Sequence, residues 1–520
     1  MHNENNGQKK TTTQKLGLIL GPVLFFCVLL FFNFDPQNLI LTRMAAVAIL
    51  MATWWITDAI PLFATALLPM LLFPLLGILK SNATAPIYFN STIFLFIGGF
   101  MIALTMEKWR LHKRIALVII RFIGGGPSKI ILGFMVASSF LSMWISNTAT
   151  AIMMVPIGLA IILKMEEKFD ASETRRFTTS LMLAIAYGCS LGGIATLVGT
   201  PPNLSFARIF QITFPDAPPI AFGTWFIMGL PISIVMIFVV WLMLTRVFFR
   251  VSPNIKVDRS VVDKEYAQLG SMSFEEKSVL AVFSSTAILW VFRKKIQLGF
   301  LSIPGWSQLI PYPDLIDDAT VALFMAMLLF LIPARSDGTK YSTVMGPDVI
   351  KKLPWNIVLL FGGGFALAKG FQVTGLSAFI GNKFSGLAGM PPLIMIVIIC
   401  FGLTFLTELT SNTATTEMIL PILASVAIAM ETNPLLLMIP ATMSASCAFM
   451  MPVATPPNAI VFGSGRIKIS EMARVGVFIN IIGILIITLM FYFIGTQVFE
   501  IDPNVFPEWA KSLGTGTGIH

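Results

Sequence analysis

Long apolar runs recur along the whole chain of 520 residues, and they limit its fold more than any other feature. A helix that crosses a bilayer needs about 20 mostly apolar residues. Charged residues make up only 12% of the sequence, about half the usual share in a soluble protein, so too few remain to cover a water-soluble fold of this size. The sequence therefore predicts an all-α membrane protein in a lipid bilayer and excludes a soluble enzyme, a disordered scaffold and a nucleic-acid binder.

Four of the apolar runs are interrupted near the middle. Residues 127–163 and 391–430 each contain Ser-Asn-Thr and are too long for one crossing, so we predict re-entrant hairpins that enter and leave by the same side. Residues 178–210 and 435–463 each contain Thr-Pro-Pro-Asn, and we predict crossing helices with an unwound centre. Together with the uninterrupted runs, this gives about 11 transmembrane helices plus two re-entrant hairpins.

The first run, Leu16–Phe32, follows a polar tail that carries Lys9, Lys10 and Lys15. No small-x-small cleavage site follows it, which favours a retained helix over a signal peptide. With the N-terminus cytoplasmic and the C-terminus external, most of the 35 Lys and Arg residues fall in cytoplasmic segments, as the positive-inside rule requires. The run Arg293–Lys295 is a local exception. We therefore expect a multi-pass protein of the cell membrane, either a bacterial inner membrane or a plasma membrane.

Three motifs recur in the same order in the two halves of the chain. The matched segments are Phe94–Phe100 with Leu359–Phe365, Ser146–Thr150 with Ser411–Thr415, and Gly199–Asn203 with Ala454–Asn458. Their offsets are 265, 265 and 255 residues, and the two copies of the first motif precede crossings from opposite sides in the predicted topology. Inverted repeats with broken helices are the architecture of secondary transporters, whose substrate and ion sites lie near the bilayer midplane.

The repeat also divides the chain into segments. These are a cytoplasmic tail with the first transmembrane helix (1–39), a first inverted repeat (40–250), a cytoplasmic linker (251–276), a second inverted repeat (277–500) and an external C-terminal tail (501–520). Each repeat is predicted to contain five crossings and one hairpin, and the first helix lies outside the repeat.

Each Pro-Pro pair removes amide donors and pushes the preceding residue out of the helical region. Thr200 and Thr455 are therefore predicted to be extended, and the carbonyls of Gly199 and Ala454 lose their helical partners. Unwound carbonyls, hydroxyls and side-chain amides together make an all-oxygen site, which suits a hard cation.

The Ser-Asn-Thr motifs have a complementary chemistry. These residue types favour helix N-caps, so a new half-helix can begin at each motif. The free amides and the positive dipole end of such a helix attract an anion. Two motifs that face each other across the midplane would present two donor sets, which match an anion with a carboxylate at each end.

None of the four interruptions contains Lys or Arg. A buried dianion would therefore have no fixed counter-charge, and burying it bare is prohibitive. Cations that bind together with the substrate would supply the missing charge and would make substrate binding depend on them. This gives a physical basis for cation coupling.

Three acidic residues in apolar surroundings leave alternatives open. Glu408 and Glu417 flank the second Ser-Asn-Thr and have no carboxylate counterpart in the first repeat, so they are candidates for function, for a structural salt bridge or for a capping role. Asp58 is predicted to cap a helix end. The three histidines are His2, His112 and His520, two of them near the ends of the chain, which argues against imidazole catalysis and a histidine metal site.

The paired Ser-Asn-Thr and Thr-Pro-Pro-Asn motifs, together with the run Ser446–Val461, resemble the divalent-anion sodium symporter family. That family contains the sodium-coupled di- and tricarboxylate transporters, and the resemblance extends over about residues 40–500. It implies a homodimer in which each protomer has a scaffold domain and a transport domain that moves as an elevator. Asp58 stands where a Glu is more usual in the family.

The resemblance also implies site residues. One sodium site matches Ser142, Ser146, Asn147 and Gly199, and the other matches Thr407, Ser411, Asn412 and Ala454. The substrate residues match Asn147, Thr148, Thr200 and Pro201 in the first half, and Ser411, Asn412, Thr413, Thr455 and Pro456 in the second. Sodium is thus the implied coupling ion.

The resemblance implies a symporter that imports C4-dicarboxylates such as succinate, malate or fumarate. Thr148 and Thr413, rather than a larger residue after each Asn, favour dicarboxylate over sulfate. A citrate- or sulfate-selective transporter of the same fold and a dicarboxylate exchanger are the alternatives. Ser142 and Thr407, one turn before each Ser-Asn-Thr, favour sodium coupling over exchange.

Overall fold

A computed structural model describes residues 10–252, 260–298, 301–335, 342–384, 386 and 389–511. The first nine residues of the predicted cytoplasmic tail, residues 253–259 of the predicted linker and residues 512–520 of the predicted external tail lie outside the described residues. His2 and His520 lie outside them as well.

The first half of the described chain is built almost entirely of helices. They are α1 (Thr12–Phe31), α2 (Leu39–Thr57), α3 (Leu62–Thr65), α4 (Leu68–Leu75), α5 (Ser81–Tyr88), α6 (Ser91–Lys108), α7 (Leu111–Ile123), α8 (Pro127–Ser142), α9 (Asn147–Glu166), α10 (Ala171–Ile194), α11 (Pro201–Thr213) and α12 (Phe222–Leu242). A π-helical turn, Met243–Phe248, continues α12.

The second half repeats this pattern. Its helices are α13 (Ser260–Gln268), α14 (Phe274–Val291), α15 (Asp318–Leu331), α16 (Val349–Lys352), α17 (Trp355–Thr374), α18 (Leu376–Lys383), α19 (Pro392–Thr407), α20 (Asn412–Ala429), α21 (Pro434–Ala445), α22 (Pro456–Gly463), α23 (Ile469–Met490), α24 (Thr496–Val498) and α25 (Glu508–Lys511). Within the described residues, nine helices are long and apolar enough to cross a membrane. The count of 11 crossings and the re-entrant course of the hairpins stay predictions.

The prediction of an all-α chain is wrong at one place. Strands β1 (Ile296–Leu298) and β2 (Leu301–Ile303) form a small antiparallel pair with Ile296 opposite Ile303. Apolar and polar residues alternate over Ile296, Gln297 and Leu298, a pattern of period two that favours a strand. The pair follows directly on the basic run Arg293–Lys295.

The predicted linker is more ordered than a simple connection. It contains α13, and α14 begins at Phe274 instead of residue 277 because Ser273 and Glu276 form a capping box. Buried Arg114 on α7 donates to Glu276 over 3.0 Å, so the start of α14 is also tied to α7. Helix α10 likewise begins at Ala171, before the predicted residue 178, because it continues past its apolar part into a polar turn.

Buried apolar residues form two clusters. The smaller one gathers α1 to α5 around α17 and the outer face of α20, with Met44, Phe73 and Phe371 among its members. The larger cluster runs through both hairpins and both broken helices, including Phe134, Tyr187 and Phe449. Three of the four interruptions therefore lie within the larger cluster, whereas Ala414 of the second Ser-Asn-Thr belongs to the smaller one.

Candidate functional site

Four helices begin at the four interruptions. Helices α9 and α20 begin at the Asn of each Ser-Asn-Thr, whereas α11 and α22 begin at the first Pro of each Thr-Pro-Pro-Asn. Helix α9 packs against α22, and α20 packs against α11, so each half packs its helices crosswise on the other half. The Tyr187 hydroxyl on α10 adds a link between the halves, because it donates to the Phe449 carbonyl over 2.9 Å.

Both Ser-Asn-Thr motifs lie at helix N-termini, as the sequence predicts. Ser146 is the N-cap of α9, and its Oγ accepts a hydrogen bond of 3.1 Å from the Ala149 amide. Ser411 is the N-cap of α20, but its side chain makes no capping bond. The amides of the first turns therefore point to the interruptions, where an anion is favoured.

Both threonines before the Pro-Pro pairs are extended, which confirms the prediction. Thr200 has φ −145° and ψ 142°, and Thr455 has φ −139° and ψ 149°. The first interruption runs over residues 195–200 and the second over 446–455, since α21 ends a full turn before the position that matches the end of α10. Pro452 is present only in the second copy, where it prevents a helical amide bond and extends the unwound segment.

The Asn of each Thr-Pro-Pro-Asn ties the unwound backbone together. Asn203 Nδ2 donates to the carbonyls of Gly193 (3.1 Å) and Thr196 (2.7 Å). Asn458 Nδ2 donates in the same way to the two matching carbonyls of the second half, Ala448 (3.0 Å) and Met451 (3.1 Å). Sequence reasoning missed this role, although the recurrence of the Asn in both copies was the available signal.

The first predicted sodium set is partly assembled. The Ser142 hydroxyl donates to Asn147 Oδ1. A Cβ added to Gly193 would lie 3.2 Å from Asn147 Oδ1 and 3.1 Å from the Gly199 carbonyl oxygen, so both oxygens converge on the bare Cα of Gly193. The structure thus brings Ser142, Asn147 and Gly199 together, whereas the Ser146 hydroxyl is engaged at the helix cap.

The second predicted sodium set has a matching core. Thr407 Oγ1 lies 2.6 Å from Asn412 Oδ1 and 2.9 Å from the Ala445 carbonyl oxygen. Thr407 occupies the place of Ser142 and Asn412 that of Asn147 in the repeat. Ala454 is buried and donates its amide to Met451 over 3.2 Å. Among the described contacts, none joins Ala454 or Ser411 to the pair of Thr407 and Asn412.

The predicted substrate residues differ in exposure between the halves. Thr200, Thr413 and Thr455 are buried, and Thr148 and Pro201 are half-buried, whereas Pro456 is exposed. Thr455 Oγ1 caps α22 by accepting from the Asn458 amide at 3.4 Å.

The charge of the site supports a monovalent cation. Within the described residues, no group of three or more His, Cys, Asp or Glu side chains could hold a metal ion. A cation at the interruptions would therefore be held by neutral hydroxyl, amide and carbonyl oxygens. Such a set suits a hard cation of low charge and disfavours zinc or a redox metal.

Glu408 caps the unwound backbone of the second half. Its Oε1 accepts from the amides of Phe449 (2.7 Å) and Met450 (2.9 Å), and its Oε2 accepts from the Met451 amide (3.0 Å). Asn480 Nδ2 on α23 also donates to Oε1 over 2.8 Å. Among the alternatives left open by the sequence, Glu408 therefore has the capping role.

The other two acids have separate places. Glu417 is buried on α20, and Ser205 on α11 donates to its Oε1. Its Oε2 lies against Gly364 on α17, where an added side chain would displace the carboxylate, so three helices meet at one point. Asp58 ends α2 in the left-handed conformation (φ 48°), which confirms its place at a helix end.

Residues 14–499 match the protein family described as "Sodium:sulfate symporter transmembrane region". The sodium-dependent dicarboxylate transporter SdcS of Staphylococcus saprophyticus is 42% identical over 506 residues, which cover 96% of this chain and 95% of that protein. SdcS of Staphylococcus aureus strain MRSA252 is 44% identical over 501 residues, which cover 95% of this chain and 94% of that protein.

Two solved structures of transporters share the fold. MtrF of Neisseria gonorrhoeae, described with a class of antimetabolite efflux pumps, has a TM-score of 0.54 and 12% identity over 80% of this chain and 84% of its own. The YdaH transporter of Alcanivorax borkumensis has a TM-score of 0.54 and 12% identity over 93% of this chain and 97% of its own. At this identity the likeness concerns the fold alone.

Two broken helices and two helical hairpins, packed crosswise between related halves, define a secondary transporter of the membrane. The match over nearly the whole chain then gives the family: the chain belongs to the sodium:sulfate symporter family. It is a transporter and not an enzyme.

Proposed function

We propose that the protein is a sodium-coupled symporter that imports C4-dicarboxylates such as succinate, malate and fumarate. One observation carries the proposal: a hydroxyl meets the Asn side-chain oxygen at the same place in both halves, Ser142 with Asn147 and Thr407 with Asn412. Each pair lies next to an unwound backbone that adds carbonyl oxygens. The names of the SdcS relatives, which are sodium-dependent dicarboxylate transporters, agree with this chemistry.

We assign one sodium ion to each half. In the first half, Ser142, Asn147 and the Gly199 carbonyl are the core ligands, with Ser146 as the fourth residue of the set. In the second half, Thr407 and Asn412 are the core ligands, with Ser411 and the Ala454 carbonyl completing the set. Each Asn uses Oδ1 for sodium and keeps its Nδ2 donors for the substrate, so a single side chain couples the two ligands.

We assign the two carboxylates of the substrate to the two Ser-Asn-Thr motifs. Thr148 and Thr413 supply hydroxyl donors after each Asn, and the first-turn amides of α9 and α20 add the positive ends of the helices. Residues of the Pro-Pro helices complete the site, namely Thr200, Pro201, Thr455 and Pro456. The two sodium ions neutralise the dianion, so each ligand binds weakly without the other.

We further propose an elevator mechanism in a homodimer. The smaller apolar cluster, built on α1 to α5 and α17, meets only the start of α20, whereas the larger one holds the other three interruptions, which favours a fixed part and a moving part. The proposed topology keeps 11 crossings and two re-entrant hairpins, with a cytoplasmic N-terminus and an external C-terminus in the cell membrane. The proposed segments are 1–39, 40–250, 251–276, 277–500 and 501–520.

Substitutions at the two Ser-Asn-Thr motifs test the assignment of the site. We expect Asn147→Ala and Thr413→Ala each to lower sodium-driven succinate uptake in proteoliposomes roughly 100-fold, because each loses about 2–3 kcal/mol of hydrogen bonding to a charged ligand. Thr432→Ala, a loop change of the same kind in the second half, should keep wild-type uptake.

Size-exclusion profiles and thermal unfolding of the detergent-purified variants provide the folding control. Sodium should raise the melting temperature of the wild-type protein and of Thr432→Ala, but much less that of Asn147→Ala. Full uptake by both motif variants would show that the site lies elsewhere.

A further inference from the structure

Arg208 is a half-buried cation on α11 that the site described above does not use. It lies two helical turns beyond Pro201, roughly 10 Å along the helix axis. Its Nε atom is buried and has no hydrogen-bond partner among the described residues, and none of the described ion pairs includes Arg208. A guanidinium in this state is costly unless it meets an anion that the protein itself does not provide.

Arg208 lines a cavity of about 400 Å³ between α11 and α6. Leu204, Arg208 and Gln211 form the α11 wall, at helical spacing, and Ser91 and Thr92 at the start of α6 form part of the opposite wall. The inner end of the cavity reaches Leu197, which lies inside the first interruption. In the proposed topology the outer end opens to the external side.

Three acidic residues also line the cavity, but none of the described ion pairs joins one of them to Arg208. Asp318 pairs with Arg293 over 2.5 Å, and both side chains are buried. Asp317 accepts from the amide and the hydroxyl of Thr320 at 2.8 and 2.9 Å. Asp314 lies within electrostatic range of Lys294, which also lines the cavity.

A second cation lies near Arg208, outside the lining of the cavity. Lys369 on α17 lies within electrostatic range of Arg208, and its Nζ donates to Gln372, a neutral partner, over 2.8 Å. Helices α11 and α17 pack together, so Arg208 and Lys369 place two positive charges close to a site whose own residues carry none. Low-dielectric walls focus such a field along the cavity and raise the local concentration of an anion.

We propose that Arg208, assisted by Lys369, forms an external recruitment subsite for dicarboxylate anions on their way to the interruptions. The inference rests on the proposed function and concerns how the substrate reaches the site. Arg208 holds one carboxylate transiently in the cavity and releases it inward, where the sodium ions supply the opposite charge. It therefore affects capture of the substrate from dilute solution and leaves the later transport step unchanged.

Uptake by whole cells that lack their own dicarboxylate uptake tests this role. We expect Arg208→Gln to raise the KM for external succinate about three- to tenfold with little change in Vmax, because steering is lost but translocation is not. Added choline chloride should lower uptake at low succinate less in this variant than in the wild type. Arg208→Lys should restore most of the KM, and the sodium dependence at saturating succinate should stay unchanged.

Lys80→Gln is the matched control, since Lys80 is an exposed cation before α5 that does not line the cavity. A wild-type KM and salt response in Arg208→Gln, or an equal change in Lys80→Gln, would overturn the subsite and leave the proposed function intact. A fall in Vmax alone would also overturn it. Absence of sodium-dependent uptake by the wild-type chain would overturn both proposals.

Discussion

The two halves hold the same oxygen pair by different means. In the first half, the Thr196 hydroxyl donates to the Met143 carbonyl over 2.5 Å and so joins the hairpin to the broken helix. In the second half, Glu408 replaces Met143 and binds three consecutive backbone amides around Met450. A neutral contact is sufficient where the unwound segment is short, whereas a carboxylate is present where Pro452 has lengthened it.

The halves also differ in how closely the backbone packs. Gly193 near the end of α10 and Gly199 in the first interruption match Ala448 and Ala454 of the second interruption. In the first half a Cβ at Gly199 would lie only 2.7 Å from the Gly193 carbonyl oxygen, so no side chain fits there. The same ligands are thus presented by a tight, glycine-dependent loop in one half and by a longer, braced loop in the other.

The side chains around the two interruptions also differ between the halves. Trp144 at the first hairpin tip packs against Phe222 and Phe283, with ring centroids 6.0 and 5.2 Å apart. Its counterpart Leu409 is 74% exposed, and Val453 in the second interruption is 81% exposed. The first half is therefore enclosed by aromatic side chains in this conformation, while the second half presents an uncovered edge.

The largest expected difference concerns the brace of the second half. Glu408→Ala leaves three backbone amides and the buried Asn480 without their acceptor, and we expect a loss of about 3–5 kcal/mol in stability together with a loss of uptake. Thr196→Val, the matched change in the first half, should cost only about 1 kcal/mol. Thermal unfolding of the purified variants measures both. Equal stability of the two variants would remove the distinction between the braces.

A smaller difference is expected for the backbone of the first interruption. Gly199→Ala forces the loop apart, and we expect the sodium concentration for half-maximal uptake to rise roughly tenfold, because the Gly199 carbonyl moves away from Asn147. Ala454→Gly removes only a methyl group from the longer loop, so its sodium dependence should stay within about twofold of the wild type. If both changes shift the sodium dependence alike, the first loop does not depend on glycine more than the second loop does.

Much of the site could be predicted because its features are local. Pro-Pro pairs dictate the extended Thr200 and Thr455, and each Ser-Asn-Thr of this chain begins a helix, so both features follow from short segments. The nearly constant spacing between the repeated motifs then indicated which residues of the two halves correspond. The assignment of the sodium and substrate residues remains a proposal.

The remaining features depend on contacts between distant segments. The capping role of Glu408 could not be predicted, because it depends on the position of the Phe449 amide, 41 residues further along the chain. The meeting of Glu417 with Ser205 and the cavity beside Arg208 also join separate helices, and periodicity says nothing about such pairs. The strand pair at Ile296 was not predicted, because each strand is only three residues long.

Succinate uptake into proteoliposomes without internal dicarboxylate tests the central claim most directly. An inward sodium gradient is compared with an equal potassium gradient across the same membranes. The account predicts accumulation of succinate with sodium and only background uptake with potassium, because the dianion has no fixed counter-charge at the interruptions. Uptake that is equal in the two gradients, or that occurs only after loading with dicarboxylate, would contradict sodium symport and favour an exchanger.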